Sequence, residues 1–567
     1  MDTFLKPFSK DILKVDIKPA KYPYSDEYLK SQPIFPLIIF DGGAFFLIQE
    51  LMGAKDPYSR ELFEFISSGD LFKHWEKDGS FDWNLYYKLS VDSKLQRLSE
   101  QNVWLNRLYF LLPLAQEFLV TGDEKWAQEW YKWLTDWIDK HPYEELDDRP
   151  KDKTNGYWRD MQVAWRLLNL LHSVKMLAGS KYLDKNRWET IYSCIKLHAD
   201  HMLKEGYGHI STEKAHNHVL QIGLVLLMTG VLFPEFPDAE AYAKAGRKII
   251  EINMENAILD DGGSIEGCPS YSHFIARMYV ETYLFLEKNG LPAIPGLLEC
   301  INNQYTWLYQ MMAPTGKTLQ IGDSYAFNAE KDIEIVKSLM KLDLPQKKCS
   351  TLLKTSRFAS LRNDSFDVFI DAMDRTQGHQ HFGRPHAVAF YNGKPLLVDT
   401  GCSVYDRKDF RAFFSSAEAH NTVIVTDPDT SEILSDDPDK SIDVTGCDLS
   451  GKNPWIAFET KAKGFTWKRK VSLEGSRLII KDSVNSDKPL ISKVMLHFAP
   501  RNARLVSSHE AALFFNLKEF NITIDGSQKG FKMEERPAMN DDNDFFYSTV
   551  LSACDKGTQI DYVTTIQ

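Results

Sequence analysis

The sequence predicts two domains of different class, an all-helical domain of antiparallel pairs followed by an antiparallel β-sandwich. Three observations carry this. At 567 residues the chain exceeds what a single core organises. From about Pro57 to Leu342 the apolar residues follow a helical period, and after about Lys354 they fall into short strand-length runs.

The helical rhythm is clearest where Trp126, Trp130, Trp133 and Trp137 recur at i, i+4, i+7 and i+11, placing four indoles along one face. Buried packing between helices is the expected use of that stripe. Further stripes run through Ala164/Leu167/Leu168/Leu171, Trp188/Ile191/Ile195, Val219/Ile222/Leu226 and Ile275/Tyr279/Tyr283/Leu286. Short breakers such as Thr121-Gly122-Asp123, Leu177-Ala178-Gly179 and Lys288-Asn289-Gly290 separate them, which predicts helices paired through tight connections. Strands are expected at Phe366–Asp371, Ala387–Tyr391, Pro395–Asp399, Thr422–Thr426, Ser476–Lys481 and Lys493–Phe498, bounded by turn signals. The stretch Thr426–Asp443, rich in Asp, Ser and Pro, reads as an exposed excursion. Residues 1–56 read as an irregular N-terminal extension, 57–350 as the helical domain and 351–567 as the sandwich.

Composition narrows the function. A hydrophobic content of 43% and a charged content of 26% describe a globular protein. The net charge of −12 argues against nucleic acid and acidic membranes as partners, while leaving room for a locally basic cleft. Aromatic residues make up 13% of the chain, which suits both helix packing and stacking on sugar rings. The seven cysteines are scattered with no C-x-x-C pair, so neither a disulfide framework nor a zinc knuckle is expected. The N-terminus lacks a signal-peptide pattern and no run of about eighteen apolar residues exists, so a cytoplasmic location is expected, or a periplasmic or secreted one if an export signal has been removed.

The chemistry concentrates in three places. Between Gly378 and Val423 lie His379, His381, His386, His420 and Asp399, four of the fifteen histidines with a carboxylate. Such side chains bind metals and move protons near neutral pH. A second cluster, His209 to His218, precedes the apolar run Val219–Met228, with Asn217 and His218 near a helix start where N–H groups favour anions. Asn217 reads equally as a simple helix cap. The third is the glycine-rich stretch Asp260–His273, carrying Glu266 and Tyr271.

Taken in order, Asn217-His218, Glu266-Gly-Cys-Pro-Ser-Tyr271, His379-Gln-His381, Val398-Asp399-Thr-Gly401 and Ala419-His420-Asn421-Thr422 resemble the motifs of the heparinase II/III-like polysaccharide lyases, a superfamily including heparinases and oligoalginate lyases. The resemblance implies an N-terminal (α/α) toroid followed by a C-terminal antiparallel β-sandwich, and covers most of the chain after about residue 60. It implies β-elimination of uronic-acid glycosides in acidic polysaccharides or oligosaccharides: glycosaminoglycans such as heparan sulfate, hyaluronan or chondroitin sulfate, with oligoalginate as the alternative. Asn217 and His218 would bind the uronate carboxylate, Tyr271 would be the general acid and for some epimers the base, and His379 or His218 would be the other base candidate. A tyrosine base needs neighbouring cations, since a free phenol titrates at about 10.

By the same resemblance His381, Asp399 and His420 would ligate a divalent metal, zinc or alternatively manganese, in a structural rather than chemical role. Glu266, Arg384 and His386 are candidate substrate-binding residues. His386 stands near where the family carries an acid after its H-x-H pair, a departure from the pattern. Two rival functions remain. A hydrolase would use facing carboxylates among Asp260, Asp261 and Glu266. A silent carbohydrate-binding protein would be expected to lack one of Asn217, Tyr271 and His379.

Overall fold

The computed structural model describes residues 81–84, 103, 105–143, 157–374, 379–402, 408–437, 439–499, 502–515, 518–540 and 545–567. The expected N-terminal extension lies outside these. The described residues form two compact units: those up to Ile258 and within Phe274–Ile301, and those within Leu259–His273, Asn302–Val404 and Lys408–Gln567. Residues 259–273 and 302–350, read from sequence as part of the helical domain, therefore group with the strands.

In the first unit helices follow one another closely: α1 (Leu111–Thr121), α2 (Glu124–Lys140), α3 (Asp160–Leu177), α4 (Lys185–Ser211), α5 (Asn217–Leu232) and α6 (Ala239–Ala257). The breaker Thr121-Gly122-Asp123 acts at both ends. Gly122 closes α1 at φ 69° with its N–H on Phe118 O, and Asp123 caps α2 by accepting from Lys125 N. On α2, Trp130, Trp133 and Trp137 are fully buried, as the stripe predicted, and Trp133 meets Phe81, Trp83 and Phe110 edge-on. Trp126 ends the stripe half-buried beneath the Lys125 ammonium, 4.6 Å from its ring. Helices α7 (Pro269–Lys288) and α8 (Leu297–Met311) follow, each begun in one unit and completed in the other, and then α9 (Ala329–Leu339). Among the described residues no helix is long and apolar enough to cross a membrane.

The second unit holds fifteen described strands, joined in antiparallel pairs into one hydrogen-bonded sheet system. Strands β1 (Thr351–Leu353), β2 (Phe358–Arg362), β3 (Phe366–Asp371), β4 (His386–Tyr391) and β5 (Lys394–Leu397) form a meander. The turn between β4 and β5 is Asn392-Gly393, both at positive φ, which suits a two-residue hairpin. Strand β6 (Val423–Thr426) follows a short helix, α10 (Lys408–Phe414). After β7 (Ser441–Asp448), β8 (Trp455–Ala462) and β9 (Phe465–Glu474) comes β10, which runs unbroken from Arg477 to Phe498. The two strands expected at Ser476–Lys481 and Lys493–Phe498 are its two ends. Its first half pairs with β9 and its second half with β6 and, at Phe498, with β5. A register shift between Asn485 and Leu490 along β15 (Phe545–Ile566) marks where the polar segment crosses. Alternate residues of this long strand contribute to the core, among them Leu478, Ile480, Val484, Leu490, Val494, Leu496 and Phe498.

Candidate active site

The sheet brings the histidine-rich segment together by its strand ends. His386 opens β4, opposite Asp371 at the end of β3. Asp399 lies just past β5, and His420 lies just before β6, whose partner β10 also reaches β5. Asn421 pegs these elements. Its amide donates to Ala387 O and Val398 O at 2.9 and 2.8 Å, and its carbonyl accepts the His497 N–H at 2.6 Å. The Ala419–Thr422 motif thus contains one residue of chemical interest and one that fixes the sheet beneath it.

At this junction His386, Asp399 and His420 are grouped, with potential ligand atoms all within 4.8 Å of one another. His420 Nδ1 is 3.0 Å and His386 Nε2 3.3 Å from Asp399 Oδ2, while His420 Nε2 and His386 Nδ1 are buried without a hydrogen-bond partner. Burial pushes the Asp399 carboxyl up, but His420, His386 and the Gly401 N–H outweigh it and hold it at about 2. Burial drives the His386 imidazole well below its ordinary value. Two imidazoles and an ionised carboxylate are a donor set that fits zinc. His381, the residue the resemblance implies as a ligand, directs Nε2 to Asp323 instead, so the trio grouped here has His386 in its place.

The second constellation is built on two turns. In the first, Gly267 takes φ 66° and packs so closely on Gln380 that an added Cβ would lie 1.8 Å from its Nε2. In the second, Gly322 takes φ 64°, and a Cβ there would lie 2.6 Å from the main-chain oxygen of His379. These approaches bring Glu266, Tyr271 and Asp323 to His379. The Tyr271 and His379 rings stack with centroids 3.7 Å apart and planes 20° from parallel. Asp323 accepts from His379 Nδ1 through Oδ2 and from His381 Nε2 through Oδ1, both at 2.9 Å. Burial works to raise the Asp323 carboxyl, yet the two imidazoles outweigh it and hold it below the usual carboxylate range. Glu266 Oε2 lies 3.8 Å from His379 Nε2. All these residues belong to the second unit.

In the helical unit Asn217 is the first residue of α5 and is buried, while His216 occupies the cap position without a side-chain capping bond. The capping alternative for Asn217 does not hold. His218, in the first turn of α5, places Nδ1 2.7 Å from Asp160 Oδ2 at the start of α3. His216 and His218 contact each other edge-on at 5.2 Å.

Two expectations need correction. Arg384 does not offer its guanidinium to a ligand in this fold: it is 4% exposed and bonds Asp371 at 2.5 Å. His386 is 3% exposed against Asp399, so it too is no surface contact for substrate. Conversely, Asp323 and Asp160, the carboxylates that hold His379 and His218, went unread. Asp323 sits in Ile321-Gly322-Asp323-Ser324, which looks like any turn, and only the fold reveals its partners.

Comparison with known proteins gives a consistent picture. Residues 61–348 match a family model described as heparinase II/III N-terminus, and residues 345–538 one described as heparinase II/III-like, C-terminal. A protein named heparin-sulfate lyase from Bacteroides stercoris is 23% identical over 359 residues, covering 56% of this chain and 53% of that protein. The chain therefore spans about half the length of that relative. A solved structure titled heparinase III superposes with TM-score 0.71 at 15% identity, covering 95% of this chain and 88% of the other. A heparan sulfate lyase from Pedobacter heparinus gives 0.61 at 15% identity, covering 99% and 86%. These structures establish the fold, a helical toroid followed by a β-sandwich.

Proposed function

The chain belongs to the heparinase II/III family, and from that premise we propose that it is a polysaccharide lyase cleaving uronic-acid glycosides by β-elimination. The observation that carries this reading is the Tyr271–His379 stack, a phenol and an imidazole 3.7 Å apart. Elimination needs a base for the C5 proton and an acid for the departing O4 oxygen, and these two side chains are suited to both tasks. The C5–H electron pair becomes the C4–C5 double bond as the C4–O4 bond breaks. Tyr271 then supplies the proton that O4 takes. The resemblance assigns the uronate carboxylate to Asn217 and His218, and hydrogen bonds to that group stabilise the charge that builds on it as C5 loses its proton.

The names of the relatives support sulfated glycosaminoglycans of the heparan type as substrate. Oligoalginate is the alternative. A bound divalent ion at His386, Asp399 and His420 would supply structural order to the strand ends, with the elimination left to the side chains above.

The test is to incubate the protein with heparan sulfate, hyaluronan, chondroitin sulfate and alginate oligosaccharides and follow ultraviolet absorbance of the unsaturated uronate. The expected result is new absorbance with wild type and its loss, on the order of 10²-fold or more in rate, in Tyr271→Phe and His379→Ala. Reducing ends without absorbance would point to hydrolysis. Undiminished turnover in Tyr271→Phe would sink the assignment of the acid.

A further inference from the structure

We propose that Asp323 is a positioning residue for His379: its carboxylate keeps the imidazole proton on Nδ1, so that Nε2 presents the lone pair that takes the C5 proton. The proposal rests on the β-elimination reading above and makes His379 the base within it.

The geometry is that of a clamp. The side chain of Asp323 accepts from His379 Nδ1 at 2.9 Å, and its main-chain N–H donates to His379 O at 3.0 Å. One residue therefore holds both the ring and the backbone of another. The Tyr271 ring lies against one face of the imidazole and removes its remaining freedom to tilt. A neutral imidazole carries one N–H, and the hydrogen bond at one nitrogen decides which nitrogen is the base. With Nδ1 donating, the base is Nε2. Glu266 Oε2, at 3.8 Å, lies beyond hydrogen-bond range and does not compete for a proton there.

The second oxygen of Asp323 accepts from His381 Nε2, and the carboxylate is only 3% exposed. Both imidazoles hold its oxygens in place, so it stays a fixed, buried acceptor. When His379 takes the C5 proton it becomes an imidazolium beside that carboxylate. The charge is then stabilised where it develops, without Asp323 itself taking the proton. The step balances: the proton moves from C5 to Nε2, the C–H pair forms the double bond, and O4 leaves with the proton of Tyr271.

The experiment uses the full chain and Asp323→Ala, with the uronate absorbance assay and nitrogen-15 spectra of labelled histidine, His379 being assigned by its loss in His379→Gln. The expected result is a kcat lower on the order of 10²–10⁴-fold with KM within about threefold. His379 should shift from Nδ1–H to Nε2–H, and added formate, filling the vacated acceptor position, should restore part of kcat. If Asp323→Ala fails to fold, Asp323→Asn keeps the shape while removing the charge and one acceptor, and the same loss in kcat is expected. An active wild type with unchanged kcat in a folded variant overturns the proposal, as does a loss of kcat with the His379 proton unmoved. If wild type makes no unsaturated product from any uronate, the functional reading fails, and the protonated nitrogen of His379 in the two proteins still decides whether Asp323 sets it.

Discussion

Asp399 lies within 3.3 Å of two imidazoles, and both of those rings keep a second nitrogen buried and unpartnered. Unsatisfied buried nitrogens cost about 1–3 kcal/mol each, which favours an ion that uses them. The protein should therefore purify with about one equivalent of a divalent metal. His386→Ala and His420→Ala should both lose it and melt at lower temperature, whereas His381→Ala should retain it. Elemental analysis decides this, and a metal-free wild type removes the site altogether. At this scale much was legible: His379 and Tyr271 were named from their motifs and are in contact. What escaped was partnership. Nothing in a linear sequence tells Asp323 from an ordinary turn acid, or His386 from His381, because the distinction lies in which strand end each one closes.

At the level of elements, the turn Gly322-Asp323 leaves no room for a side chain at its glycine. A side chain at Gly322 would meet the main-chain oxygen of His379 at 2.6 Å, and φ 64° strains any residue with a Cβ. Gly322→Ala should lower unfolding free energy by about 1–3 kcal/mol in urea titrations. It should also reduce lyase turnover at temperatures where the variant remains folded, because the clamp on His379 opens. A variant as stable and active as wild type would show that the turn accommodates a methyl group. The helical elements were readable from period and breakers, as the buried Trp130, Trp133 and Trp137 illustrate. Strand β10 was read as two because its middle, Asp487 to Pro489, is exposed and lacks the apolar alternation, and hydrophobic pattern alone cannot distinguish a solvent crossing from a loop.

For the whole molecule, buried histidines set the response to acid. Burial lowers His141 to about 3, against the pull of its bond to Trp137 O, and burial alone takes His172 to about 3. Both folded values lie below the unfolded value of about 6.5. Their contribution is thus complete above that pH and is lost as pH falls toward 3, because the unfolded chain takes up protons that the native one refuses. At about pH 5 the loss is on the order of 2 kcal/mol for each. Urea midpoints measured at about pH 7.5 and about pH 5 should therefore fall on acidification, and a constant or rising midpoint would contradict the assignment. The two-class architecture was plain from the change of rhythm near Lys354. The grouping of residues 259–273 with the strands was not, because it depends on contacts far apart in sequence.

The buried pair of Arg384 and Asp371 bears on how this scaffold can be re-engineered. By its motif context the loop from Gly383 to His386 invites mutagenesis for altered substrate preference. Yet Arg384 is 4% exposed and its partner Asp371 only 1%, so replacing either strands a charge in the interior, a loss of about 3–5 kcal/mol. Libraries randomised across that loop would be depleted by misfolding before any change in selectivity was sampled. The productive positions for redesign lie among side chains that reach solvent, which the salt-bridged arginine does not.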